Sequence, residues 1–295
     1  MCRHIPVMYS EVLSYMKLLP GKVIVDCTLG EGGHSEGILR KITPGGHLIG
    51  IDQDDDALSA TRLRLSRFEG SFSLIRDNFK NITDVLANLD LNAMDGVVFD
   101  LGVSNMQLVT PERGFSFQFD GPLNMRMDKH AQITAFDLVN NLSEEEIANL
   151  IFTFGQERYS RRIASRIVRE RSSHVITTTQ QLADIVVASL PVRERYKRTH
   201  PATKTFMALR IAVNRELEVL QSGLTQAIDL LKPGGIICVI AFHSLEDRIV
   251  KLEFKSQAKR GRLKIITKKP LIPTDQEIET NRKSRSAKLR VAEKL

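Results

Sequence analysis

Three glycines and one distant carboxylate carry the clearest chemical signal in this chain. Gly30, Gly32 and Gly33 lie in DCTLGEGGH (26–34), directly after the apolar run Val23–Val25, and Asp52 stands eighteen residues beyond His34. Glycine tolerates positive φ and lets backbone approach a ligand closely. A carboxylate about 20 residues after such a loop suits the hydroxyls of a ribose. The pattern is not that of a dinucleotide site. Ser35 stands where the third glycine of that fingerprint would be, and Glu31 puts an anion where a pyrophosphate would meet a helix N-terminus. An anionic loop favours a cationic nucleoside without phosphates, and S-adenosyl-L-methionine has that chemistry. The bland alternative for the glycines is a tight turn. A second acid, Asp100, ends the apolar run GVVFD (96–100). Ligands of open parallel sheets sit outside the carboxyl ends of strands, so Asp100 is a candidate for cofactor or substrate contact. The competing reading is an aspartate capping a local turn.

These residues need a sheet to hold them. Val23–Val25 is continuous rather than alternating, as expected of a central parallel strand covered on both faces. Further strands fit at HLIGID (47–52), FSLIR (72–76), GVVFD (96–100) and GIICVIAFH (235–243), with helices between them. Alternation of this kind gives an α/β fold with a Rossmann-like parallel sheet. Between Asp100 and Ile236 lie 135 residues, far more than one crossover helix needs. A mostly helical domain is expected there, at 108–211, inserted into a sheet domain made of 1–107 and 212–295. Within it, SEEEIANLIFTF (143–154) opens with a capping box, Ser143 and Glu146. A second helix is expected over 157–171, carrying Arg158, Arg162, Arg166 and Arg169 along one stripe. Thr178 and Gln181 cap a third helix, and a single helix over about 203–231 ends at Lys232-Pro233-Gly234-Gly235.

Composition narrows the class. The 295 residues are 42% hydrophobic and 26% charged, within the range of globular proteins. No apolar run reaches the length of a membrane span, and the first residues lack a signal core, so a cytoplasmic protein with no membrane partner is expected. Cys2, Cys27 and Cys238 are scattered, which argues against disulfides and a cysteine-based metal site. The net charge of +7 is uneven: residues 255–295 hold 13 Lys or Arg against 4 Asp or Glu. A basic tail and the arginine stripe suggest a polyanion such as RNA, although each alone is more often a solvated face. His243-Ser244-Leu245-Glu246-Asp247 looks like a metal cluster, but Ser244 as N-cap with Asp247 three residues on is the preferred reading, and no metal is expected. The sequence leaves a homodimer open.

The chain also resembles the MraW family, which makes N4-methylcytidine in bacterial 16S ribosomal RNA. The resemblance rests on His4-Ile5-Pro6-Val7, DCTLGEGGH (26–34), IDQD (51–54), DLGVS (100–104), RGFSF (113–117), GPLNMRMD (121–128), HPATKTFMALRI (200–211), FHSLEDRIVK (242–251) and SRSAKLR (284–290). It runs nearly end to end. Departures occur at Asn105-Met106, Asn124, Met207 and Ala241, where the family usually has Ser-Pro, Asp, Gln and Ser. The resemblance implies that Gly32, Gly33 and His34 approach the methionine end of S-adenosyl-L-methionine. It further implies that Asp52 binds the ribose, Phe79 packs on adenine, and Asp100 and Gln107 complete the cofactor pocket. Asp100 is the catalytic candidate; Ser104, Asn105 and His243 are candidates for substrate contact. The implied partner is 16S ribosomal RNA within the small ribosomal subunit.

Three other readings compete. A nicotinamide-dependent oxidoreductase is disfavoured by Ser35 and Glu31. A non-catalytic RNA-binding assembly factor would keep the fold without turnover. A DNA amino-methyltransferase would typically carry Asp/Asn-Pro-Pro-aromatic where this chain has Asp100-Leu101-Gly102-Val103.

Overall fold

A computed structural model describes residues 6–196 and 199–295. Cys2, the His4-Ile5 part of the first family motif, and Lys197 and Arg198 of the basic run 193–204 lie outside the described residues. The chain forms two compact units, Met1–Gly102 with Leu217–Leu295, and Val103–Glu216.

The first unit is built on a seven-stranded sheet. Its strands are β1 (Val23–Asp26), β2 (His47–Asp52), β3 (Phe72–Arg76), β4 (Met94–Asp100), β5 (Leu231–Ala241), β6 (Leu263–Ile265) and β7 (Lys288–Lys294). They lie in the order β3-β2-β1-β4-β5-β7-β6. The first five pair in parallel, as the continuous apolar runs predict. Alternate side chains feed two cores. Val25, Ile49, Val97, Phe99 and Val239 pack into one, with the helices Ile82–Ala87, Glu216–Leu230 and Ser244–Lys259. Ile24, Leu48, Val98, Cys238 and Ile240 pack into the other, with the helices Tyr9–Tyr15, Gly33–Ile42 and Asp55–Leu65. Burial on both faces is why these strands show no polar alternation. The strand order reverses between β1 and β4, the place where such sheets bind ligands.

The C-terminal segment departs from expectation. It is not a tail: β7 runs antiparallel between β5 and β6, and Leu289 and Val291 are fully buried. Arg290 is itself buried and donates to Asp247 across 2.7 Å. The alternation Lys288-Leu289-Arg290-Val291 is the signature of such a strand, and the density of lysine and arginine around it obscures that signal.

The second unit is mostly helical. Ser143 and Glu146 form the expected capping box of the helix Glu144–Gly155, and Thr178 and Gln181 that of Thr179–Ser189. Ile147, Ile151, Ile163, Ile167, Leu182, Val186 and Phe206 fill its core. The helix expected over 203–231 is two helices, Thr203–Asn214 and Glu216–Leu230, broken at Arg215, which adopts φ 50°. Asn214 is held at the break. Its amide nitrogen donates to the Met125 carbonyl at 2.7 Å, and its oxygen accepts from Met127 N–H at 2.7 Å. Residues Lys232–Gly235 lie within β5, where the pairing with β4 shifts register. Among the described residues no helix is long and apolar enough to cross a membrane. Cys27 and Cys238 are free and buried.

Candidate active site

The carboxyl ends of β1, β2 and β4 each finish in an aspartate: Asp26, Asp52 and Asp100. The loop after β1 ties these ends together. Gly30 N–H donates to Asp52 Oδ2 at 2.9 Å, and Asp54 N–H donates to Asp52 Oδ1 at 2.9 Å. Thr61 Oγ1 donates to the Gly30 carbonyl at 3.0 Å. Gly32 adopts φ +72°, and a Cβ there would lie 2.7 Å from the Thr61 methyl. A Cβ on Gly33 would meet Pro6 at 2.3 Å. Both glycines are therefore required by the protein's own packing before any ligand is considered. Burial pushes the Asp52 carboxyl up to about 6, against the two backbone N–H groups that favour its charge.

Ser35 is more than a failed glycine. Its hydroxyl is fully buried and donates to Asp26 Oδ2 at 2.6 Å, while Thr28 N–H donates to Oδ1 at 3.2 Å. Burial nevertheless raises the Asp26 carboxyl above its ordinary range, and the nearby Asp100 adds to the rise. His34 lies in the first turn of the helix Gly33–Ile42 and is 5% exposed. Its ring stacks on Tyr9 at 6.1 Å, and its Nε2 lies 3.6 Å from Asp100 Oδ2. Asp100 N–H donates to Thr28 Oγ1 at 2.5 Å, which fixes the strand end. Among the described residues, neither nitrogen of His34 nor Asp100 Oδ1 has a hydrogen-bond partner, although all three atoms are buried. Buried polar atoms are nearly always satisfied. Orphans clustered at a strand-order reversal fit a polar ligand.

Phe79 follows β3 and meets Phe99 edge to face, with centroids 5.4 Å apart. Gly223 leaves room for it, since a Cβ there would lie 2.6 Å from the Phe79 ring. His243 follows β5 and corrects the expected cap. His243, not Ser244, is the N-cap of the helix Ser244–Lys259, and its partner is Glu246, not Asp247. Glu246 N–H points to His243 Nδ1 at 3.4 Å, and Glu246 Oε2 accepts from Phe242 N–H at 2.8 Å. Asp247 turns instead to Arg290 and Lys288. The ion pairs with β7 outcompete a cap that local sequence favours.

Gly32, Gly33, His34, Asp52, Phe79, Asp100 and His243 thus all belong to the first unit, at the carboxyl ends of its strands or in the loops that follow them. Ser104, Asn105 and Gln107 belong to the second. Ser104 and Gln107 form a reciprocal capping box on the helix Asn105–Val109, with Gln107 N–H donating to Ser104 Oγ at 3.2 Å. Among the departures from the family pattern, Asn124 Oδ1 accepts from Arg126 Nε at 2.8 Å, so an amide serves as a loop acceptor there. Asp26, Thr28 and Tyr9 were missed by sequence reasoning. Asp26 carries the strand-end signal used for Asp52 and Asp100; nothing local marks Tyr9.

Two members of the arginine stripe have close acidic partners within the second unit. Arg158 pairs with Glu194 at 2.6 Å, and Arg166 with Glu170 at 2.8 Å.

A family model described as the MraW methylase family matches residues 1–295. The chain belongs to the MraW methylase family. It is accordingly a methyltransferase. Its relatives include a ribosomal RNA small subunit methyltransferase H of Persephonella marina, 50% identical over 295 residues and covering all of both chains. The Brevibacillus brevis protein of the same name is 45% identical over 307 residues, covering 99% of this chain and 98% of that one. The resemblance read from the motifs agrees with this membership.

Proposed function

We propose that this MraW family member transfers a methyl group from S-adenosyl-L-methionine to the N4 amine of a cytidine in 16S ribosomal RNA of the small subunit, in the cytoplasm. The observation that carries the reading is the group of buried atoms on His34 and Asp100, beside the glycine loop, that have no partner among the described residues. The names of the relatives support the choice of RNA. On this reading Gly32, Gly33, His34, Asp52, Phe79, Asp100 and Gln107 hold the cofactor, which supplies a methyl group already activated by positive charge on sulfur. The first unit is the cofactor domain and the second the RNA-recognition domain; Ser104, Asn105 and His243 are the candidates for substrate contact.

The exocyclic amine of cytosine is a weak nucleophile, because its lone pair is delocalised into the ring. Asp100 accepts a hydrogen bond from that amine and aims the lone pair. Such positioning contributes several kcal/mol, about 7–11 in the best oriented cases. The same carboxylate stabilises the positive charge that grows on nitrogen. Asp52 takes the ribose hydroxyls, and charge-assisted bonds are the stronger class. The test is to incubate the chain with methyl-labelled cofactor and undermodified small subunits, then digest the RNA to nucleosides. Label in N4-methylcytidine is expected. Label in another nucleoside, or none, overturns the reading.

A further inference from the structure

The two oxygens of Asp100 are not equivalent. Oδ2 faces the His34 imidazole, while Oδ1 is buried and has no partner among the described residues. The imidazole is buried. Tyr9 stacks on its face, and Asp26 and Asp100 are the acids near it. Asp26 is already committed to the Ser35 hydroxyl and to Thr28 N–H. Asp100 is thus the acceptor still open to the ring. The separation of 3.6 Å is too long for a hydrogen bond, and contacts of this kind tighten when a ligand is bound.

We propose that His34 is a positioning residue for Asp100: its Nε2–H donates to Oδ2 and reserves Oδ1 for the reacting amine. This rests on the methyl-transfer reading above. The amine nitrogen forms its bond to the methyl carbon as the carbon–sulfur electron pair returns to sulfur, and the amine proton passes to Oδ1. His34 holds the carboxylate rotated so that Oδ1 meets that proton. The ring keeps its own proton throughout. Nδ1 stays available to the cofactor, so one side chain serves both roles through different atoms.

The amide nitrogen of glutamine reaches the place of Nε2; that of asparagine reaches only the place of Nδ1. Single-turnover methylation of undermodified small subunits at saturating cofactor should therefore separate three variants. His34→Gln is expected within about fivefold of the parent rate. His34→Asn and His34→Leu are expected about 10–100-fold slower, the scale of losing an orienting partner. Equal rates for His34→Gln and His34→Asn, or parent rates for all three, would overturn the proposal. A second measurement needs no turnover. Nitrogen-15 NMR of the parent chain should show His34 as the Nε2–H tautomer, with a signal that changes in Asp100→Asn. An Nδ1–H tautomer, or no response to Asp100→Asn, overturns the proposal whatever the kinetics. A parent chain that transfers no methyl group would fail the methyl-transfer reading, and the NMR result alone then decides the pairing.

Discussion

Two groups of acids in the first unit are treated in opposite ways. Glu36, on the helix Gly33–Ile42, is buried and receives three arginines: Arg40 and Arg64, each at 2.8 Å, and Arg67. Burial alone would raise its carboxyl, but the hydrogen bonds and charges of the arginines win and hold it at about 2. Ten residues away in sequence, buried Asp26 and half-buried Asp52 have no lysine or arginine partner among the described residues, and desolvation wins at both. The first arrangement secures a helix. The second leaves carboxylates whose charge is poorly compensated within the protein, which is what a cationic ligand would require. Glu36 and Asp26, both buried, thus differ in partner.

The largest effect is expected at the uncompensated end. Asp100→Ala should slow single-turnover methylation about 10³-fold at saturating cofactor, the scale of removing one preorganised electrostatic group. Asp100→Asn should bind cofactor better than Asp100→Ala and remain slow. Parent rates in both variants at saturation would leave Asp100 a binding residue only.

Glu36 should dominate stability. Glu36→Gln leaves three arginines facing a neutral amide, at a cost of about 2–4 kcal/mol; the half-exposed Arg40 and Arg67 keep it below the largest losses for buried pairs. Because its carboxyl is depressed in the folded chain, the Glu36 contribution is complete above about 4.5 and is lost as pH falls towards about 2. Urea unfolding of Glu36→Gln should show the loss at pH 7 and a flatter acid limb.

Asp52 should show the opposite slope. Its folded carboxyl titrates at about 6 against an ordinary 3.8, so its contribution is complete below about 3.8 and is lost as pH rises through about 6. Asp52→Asn should remove that decline. Calorimetry on Asp52→Ala should show cofactor affinity weaker by about 1.5–3 kcal/mol, the scale of hydrogen bonds to a charged group. Unchanged affinity would remove Asp52 from the cofactor site.

The smallest effect extends the comparison to cations. Arg158, in the turn before the helix Ser160–Arg171, and Arg166 on it already have acidic partners in the second unit, whereas Arg162 on that helix is exposed. Arg162→Ala should reduce the salt dependence of RNA binding by about 0.7–0.9 in log–log slope, the value of one phosphate contact. Arg158→Ala and Arg166→Ala should reduce it less. Equal slopes in all three variants would erase the distinction between paired and available arginines.

Short-range pattern is readable from the residues alone. The runs at 23–26, 47–52, 72–76 and 96–100 became β1 to β4, with aspartates ending three of them, because continuous apolar stretches and abrupt polar stops act locally. The capping boxes at Ser143 and Thr178 were legible for the same reason: both partners lie within one turn. The three glycines and Asp52 were legible by their spacing, and the loop does close onto Asp52 through Gly30. Tertiary structure decided what depends on distant partners. Only the packed sheet shows that residues 288–294 are an inner antiparallel strand, since charged residues on that strand are compensated by Asp247 from another helix. That same pairing took Asp247 away from the cap expected of it and gave the position to Glu246. Only the packed sheet brings Tyr9 to His34, Ser35 to Asp26 and His34 to Asp100. Charge compensation and burial depend on neighbours in space, and local sequence names none of them.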